Sequence, residues 1–276
     1  MKEKRKAEII VKNIYSRNVL REWNRLIKSP YHRLEFETSL YFLKKYLPKK
    51  GLILDAGGGP GRYTIELAKN GYVVILLDLT PENLTFAKKQ IKIAKLENKV
   101  KAYVEGPISD LSEFKDNTFD AVVCLGSPLS HIKNKRKREI AILELIRVAK
   151  RGAPVFISVM GKLGYLMRSI NTWISEMEMD KRFMNIFVKG DDTSWGGKGY
   201  FHYFTLEELE NLTKNKSAVL EKVGLEGLGG ASEKTMNRLY KNKLAWNNWT
   251  KMHYHLCTHP SVVDVSPHIL IVCKKL

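Results

Sequence analysis

Residues 52–67 read LILDAGGGPGRYTIEL. A short apolar run ends in Asp55, glycines stand at 57, 58, 59 and 61 around Pro60, and a helical pattern follows. Such a string drives a buried strand into a tight turn and out along a helix, because glycine lacks the Cβ that would block the turn. The sequence keeps this rhythm for another hundred residues. YVVILLD (72–78), VKAYVE (100–105), AVVCLG (121–126) and PVFISVM (154–160) are apolar runs of strand length. Between them lie helical signals: Asn70–Gly71 and Gly152 as stops, and Thr80–Pro81 as a start. Leu84, Ala87, Ile91 and Ala94 give the helix after Pro81 a buried stripe. Unbroken apolar strands suit a parallel sheet covered on both faces. The fold class is therefore α/β, doubly wound and mostly parallel, with HILIVCKK (268–275) as a closing strand.

The rhythm is absent at the N-terminus and is interrupted twice later. Val11, Tyr15, Val19, Trp23 and Leu26 predict one amphipathic helix over residues 7–28. A second helix is expected from Arg33 to Tyr46, ending before Pro48. Residues 1–47 then form a helical cap on a domain over 48–276, which carries insertions near 161–204 and 229–266. The first ends in TSWGGKGYFHYFT (193–205), a segment with the glycines of a lid hinge and the aromatics of a packed strand. Thr205 and Glu208 form a capping box for the next helix, and a strand is expected near 218–225.

The chain has 276 residues and is 44% hydrophobic, enough for one large domain with a full core. Lys and Arg outnumber Asp and Glu by 47 to 29, a net charge of +18. The first 50 residues carry 14 bases and five acids, and KNKRKR spans 133–138. This balance fits attraction to RNA, to an anionic substrate or to an anionic membrane surface; it also fits a solvated lysine-rich surface. No apolar run approaches the roughly 18 residues of a membrane span. No secretory signal pattern opens the chain. The three cysteines, Cys124, Cys257 and Cys273, are far apart, which fits a reducing cytoplasm better than a disulfide framework.

The glycine loop points to a nucleotide-like ligand and excludes two common classes. A P-loop needs Gly-Lys-Ser/Thr at its end, which the chain lacks. The dinucleotide fingerprint needs a third small residue where Arg62 stands, counting from Gly57 and Gly59. The string LDAGGGPGR instead resembles motif I of the class I S-adenosylmethionine-dependent methyltransferases. Asp78 at the end of the second strand, the DNTFDAVV turn and the closing strand are similar to that family in order. YHRLEFETSLYFLKKYLP, LGSPLSH and HILIVCKK look like a branch of small methyltransferases of unassigned substrate, and more loosely like quinone-methylating enzymes.

The resemblance implies a seven-stranded Rossmann-like methyltransferase fold with S-adenosylmethionine as cofactor and S-adenosylhomocysteine as product. It implies cofactor contacts at Asp55, Gly57, Gly59, Gly61, Asp78, Leu79, Ile108, Leu125 and Gly126. Tyr31 of the cap is added as a residue that closes over the cofactor. The helix N-terminus after the loop, with its free amides, suits the methionyl carboxylate. Asp78 suits both ribose hydroxyls, since a carboxylate only accepts. One departure is Pro107 where an acid is usual, which leaves Ser109 and Asp110 as alternatives near the adenine amine. The catalytic candidates are His131, just past the fourth strand, and His202 and Tyr203 in the aromatic segment. His253, His255, Cys257 and His259 alternate as metal ligands on a strand would, but the residues before them read as a helix, so no metal is assigned. The Asn/Asp-Pro-Pro-aromatic motif of exocyclic-amine methylases is replaced by GSPLSH. The acceptor expected first is a small molecule; RNA is the alternative, and a non-catalytic cofactor-binding role the third.

Overall fold

The computed structural model describes residues 2–172, 174–178, 180–192 and 199–276. Three helices come first: α1 (Lys2–Ser16), α2 (Val19–Arg25) and α3 (Pro30–Tyr46). The single helix expected over 7–28 is thus two. Asn18 breaks it: its side-chain amide donates to the Ile14 carbonyl at 2.7 Å, and its own N–H donates to Tyr15 at 3.0 Å. Asparagine competes with helix continuation in this way. α3 starts three residues earlier than expected, with Pro30 in its first turn.

The alternating core follows as β1 (Leu52–Ala56), α4 (Arg62–Lys69), β2 (Val73–Asp78), α5 (Pro81–Ile93), β3 (Val100–Glu105), β4 (Ala121–Cys124), α6 (Lys135–Val148) and β5 (Pro154–Met160). The first insertion holds α7 (Lys162–Thr172), α8 (Ile174–Met177), α9 (Asp180–Lys189) and a two-stranded ribbon, β6 (Asp191–Asp192) with β7 (Phe201–His202). Residues 193–198 of the expected lid lie outside the described residues. The chain continues through α10 (Leu206–Thr213) and β8 (Ser217–Gly224). It then passes α11 (Glu233–Leu239), α12 (Lys243–Leu256) and α13 (Pro260–Val263) to β9 (His268–Lys275).

The seven-stranded sheet has the order β3-β2-β1-β4-β5-β9-β8. Only β9 runs against its neighbours β5 and β8. β1 lies between β2 and β4, so the chain's direction of winding switches there. That switch opens a crevice at the carboxyl ends of the strands. One buried layer of side chains packs α6 and α10 on one sheet face, around Leu145, Ile157 and Leu209. A second packs α3 and α4 on the other, around Phe42, Leu67 and Phe156. None of the described α1 side chains, residues 8–16, reaches full burial. α1 is held instead by polar contacts to other elements. Lys12 pairs with Glu105 at 2.6 Å, Ser16 donates to Glu82 at 2.8 Å, and Glu8 pairs with Lys137.

Candidate active site

The crevice holds a cavity of about 670 Å3. The glycine loop, the end of β2, the segment after β3 and the segment after β4 form its floor and one side. Glu8, Ile10, Val11 and Tyr15 of α1 form the opposite wall, with Arg25 of α2 between.

The loop is shaped by its glycines. Gly57 has φ +73°, and a Cβ there would stand 2.6 Å from the Pro128 ring. A Cβ on Gly58 would stand 2.5 Å from an Asp55 oxygen. The loop's amides, however, are turned inward. Those of Gly57 and Gly58 donate to the Leu77 carbonyl at 2.7 and 3.1 Å, and that of Gly59 donates to Asp78 Oδ2 at 2.8 Å. The Gly61 amide donates to Gly58 at 3.0 Å. The loop therefore cradles by shape, not by offering its own donors.

Asp78 faces the cavity at the tip of β2 with its carboxylate fixed. Besides Gly59, it accepts from the Thr80 amide at 2.9 Å and the Asn83 side chain at 3.1 Å. Burial raises its pKa above the ordinary carboxylate value, and these bonds oppose the shift. Asp55 lies beneath the loop, fully buried, and accepts the Thr64 hydroxyl at 2.6 Å. Burial is the main cause that pushes its pKa up to about 7.

Arg25 is a cation fixed by acids. Its Nη1 and Nη2 donate to the two oxygens of Glu35 at 2.5 and 3.2 Å, and its Nε donates to Glu22 at 2.7 Å. Its Nη2 lies 3.1 Å from the place a Cβ on Gly126 would take. Behind it, Glu35, Glu226 and His268 bring ligand-type atoms within 4.8 Å of one another. Arg25 and His268 are their partners: Arg25 holds Glu35, and His268 Nδ1 lies 2.5 Å from Glu226 and 3.8 Å from Glu35. Burial works against protonation of His268, but the two carboxylates outweigh it and raise its pKa.

Past β4, the 3-10 turn Pro128–His131 places His131 on the cavity wall. The Tyr15 hydroxyl lies 2.7 Å from its Nε2, and the Phe201 ring packs against it at a tilt of 55°, 4.2 Å between ring centres. Burial lowers the pKa of His131 to about 4 and raises that of Tyr15. The imidazole is therefore neutral at physiological pH.

Some buried polar atoms around the cavity have no partner in the described structure: Asn83 Oδ1 in its wall, with Asp55 Oδ1 and Ser127 Oγ nearby. Buried polar atoms are seldom left so, and this clustering marks a site built to receive a polar ligand.

Of the residues singled out from sequence, Gly57, Gly59, Asp78, Leu79, Ile108, Leu125, Gly126 and His131 line the cavity. Asp55 and Gly61 support the loop from behind. Ser109 lines the cavity, whereas Asp110 turns away to Ser112 at 2.7 Å. Three residues lie elsewhere. Tyr31 is buried where α3 meets the second insertion, its N–H donating to Asn237 at 3.0 Å. His202 is clamped between Asp191 at 2.6 Å and Glu208 at 2.9 Å, tying the ribbon to α10. Tyr203 packs on Tyr165 in a buried cluster with Ile186 and Phe201. His253 sits on α12 and meets Thr38 at 2.9 Å, stacked on Trp249; the helix separates it from its alternate neighbours. Sequence reasoning missed Tyr15, Arg25 and Tyr200 as cavity residues. In the basic run, Arg138 is buried and donates to the Ile132 and Lys133 carbonyls and to Tyr200, while Lys137 pairs with Glu8.

Comparison with known proteins fits this geometry. Residues 53–152 match the family described as a methyltransferase domain. The chain is a class I S-adenosylmethionine-dependent methyltransferase. S-adenosylmethionine is accordingly its cofactor. The methyltransferase is 24% identical over 200 residues to YqeM of Bacillus subtilis (strain 168), a methyltransferase by name, covering 66% of this chain and 79% of that one. It is 32% identical over 131 residues to norajmaline N-methyltransferase of Rauvolfia serpentina, covering 47% of this chain and 41% of that enzyme. A solved methyltransferase structure from Methanosarcina mazei shares its fold with a TM-score of 0.58 and 21% identity, over 85% of this chain and 97% of that one.

Proposed function

We propose that this methyltransferase methylates a small molecule. The observation that carries the reading is the cavity itself. Its volume falls within the range of about 300–1,000 Å3 common for small-ligand sites. α1 walls it on one side, which makes it a recessed pocket and not the long open groove a polymer would need. A small-molecule acceptor in a partly similar enzyme, norajmaline N-methyltransferase, agrees with this.

The cofactor, when bound, supplies a methyl group on a positively charged sulfur, already a strong electrophile. The chain's part is to bind and to align. Asp78 suits a ribose hydroxyl through Oδ2, which accepts only the Gly59 amide, whereas Oδ1 already accepts from Thr80 and Asn83. Gly57 and Gly58 let the backbone approach closely. Arg25 commits its fork to Glu35 and its Nε to Glu22, and the second hydrogen on Nη2 is left to meet the methionyl carboxylate in a single hydrogen bond. Gly106, Ile108 and Ser109 suit the adenine. Tyr15, His131 and Tyr200 then face the acceptor. Holding the acceptor in line can supply about 7–11 kcal/mol of the barrier.

The +18 charge favours RNA as a second reading. Two of the five cations in KNKRKR are engaged within the protein, as described, which weakens that run as a binding surface. Incubation with methyl-labelled S-adenosylmethionine and host extract, followed by separation by size and nuclease sensitivity, tests the two. Label in the small-molecule fraction is the expected result. Label confined to nuclease-sensitive polymer would replace this reading with RNA methylation.

A further inference from the structure

We propose that Tyr15, carried on α1 and hydrogen-bonded to His131, is the group that receives the acceptor's proton, so that the catalytic pair exists only while α1 covers the cavity. The inference rests on the small-molecule reading above.

The geometry is specific. Tyr15 and His131 are 116 positions apart in the chain, on different elements, yet their polar atoms lie 2.7 Å apart on the cavity wall. Their rings meet edge to face with centres 5.2 Å apart, and Phe201 backs the imidazole from the other side. The contact is thus packed as well as hydrogen-bonded. A core tyrosine would be anchored by its own helix. α1 has no such anchor among its described side chains; it is strapped across the cavity by Glu8–Lys137, Lys12–Glu105 and Ser16–Glu82, each reaching a different element. When these straps release, Tyr15 leaves His131 with its helix.

The pairing fits an acceptor whose nucleophilic atom, oxygen or nitrogen, carries the hydrogen it must lose. Its lone pair forms the new bond to the methyl carbon as the S–C bond breaks, the bonding electrons staying on sulfur. The acceptor's hydrogen passes as a proton to the Tyr15 oxygen, while the Tyr15 hydroxyl hydrogen passes to His131 Nε2. The imidazolium so formed returns its proton to water once product leaves. For this relay, resting His131 must carry its hydrogen on Nδ1 and accept at Nε2. The neutral imidazole, kept uncharged by its partial burial, leaves Nε2 able to accept the Tyr15 hydroxyl.

The test has two arms. In the first, protein labelled with nitrogen-15 at histidine is studied by long-range proton–nitrogen NMR with S-adenosylhomocysteine bound, His131 being assigned through His131→Asn. A neutral Nδ1–H tautomer at pH 7 is expected. An Nε2–H tautomer, or an imidazolium, overturns the proposal without any turnover being measured. In the second, Tyr15→Phe is compared with wild type for initial label transfer into the small-molecule fraction of host extract. General-base loss predicts a fall of about 100- to 10,000-fold. The same variant should bind S-adenosylhomocysteine by calorimetry within about threefold of wild type, and its rate should climb with pH as hydroxide replaces the relay. Equal rates in the two proteins would remove Tyr15 alone and leave the small-molecule reading intact. No small-molecule label from wild type would overturn both. A variant rate that is reduced but flat with pH would make Tyr15 a strap, not a proton acceptor.

Discussion

Asp55 is a carboxyl placed where water does not reach. One of its oxygens accepts the Thr64 hydroxyl, the other has no partner, and Asp78 stands close by as a second acid. Burial first, and Asp78 after it, push its pKa up to about 7. A carboxyl that binds its proton more tightly folded than unfolded contributes most to stability below the unfolded value. That contribution is lost as pH rises toward 7 and is constant above it. The shift corresponds to a change on the order of 2–4 kcal/mol across that window. Asp55→Asn should therefore melt higher than wild type at pH 8 and close to it at pH 4; parallel melting curves from pH 4 to 8 would show that Asp55 is not the titrating group. At this scale the sequence was partly legible. Asp55 and Asp78 announce themselves as acids at strand ends, because an apolar run ending in a carboxylate is rare without a reason. Tyr15 does not, because a tyrosine at helical spacing reads as packing. Arg25 was hidden among many cations, and only its fixation by Glu35 sets it apart.

The elements were easier to read than their purposes. Strands β1, β2, β4, β5 and β9 stand where apolar runs predict them, since burial on both faces leaves little room for polar residues; β3, at the sheet edge, keeps Lys101 and Glu105 exposed. The stripe through Val11, Tyr15 and Leu26 was equally visible, but its partner was not: all three line the cavity, so what reads as a core-packing face wraps a ligand site. Periodicity reports that a face is covered, not by what. His202 and Tyr203 show the reverse error, because glycine-flanked aromatics suit a lid and a packed ribbon alike. The structural status of α1 leads to a clear expectation. Removing residues 1–16 takes away no fully buried side chain among those described. The truncated protein should melt within about 3 °C of the full chain, since a shift of that size reflects roughly 1 kcal/mol. Its methyl transfer should fall at least as far as that of Tyr15→Phe, for it loses the roof as well as the hydroxyl. A large loss of melting temperature in circular dichroism would mean that α1 belongs to the core.

At the scale of the whole molecule, the sign of the charge is plain from composition, but its use depends on where each cation ends. Arg138 is buried under Tyr200 and beside the Phe204 ring, 5.7 Å from its centre. Lys137 straps α1 through Glu8. Lys135 and Arg136 remain exposed at the start of α6, outside the cavity wall. These two residues separate a polymer acceptor from a small one. If the basic surface guides RNA, each phosphate contact adds close to one unit to the dependence of log affinity on log salt. Reversing both charges would then weaken RNA binding and flatten its salt dependence by about two units. If the acceptor is small and sits under α1, the same reversal lies outside the chemistry. Lys135→Glu with Arg136→Glu should therefore leave transfer of label to small molecules within about twofold of wild type. The rate is to be measured at low and at physiological salt, because surface charges act most strongly when the Debye length is long. A tenfold loss at low salt, relieved at high salt, would instead place the substrate's charge on this outer face and move the recognition surface from the covered cavity to the start of α6.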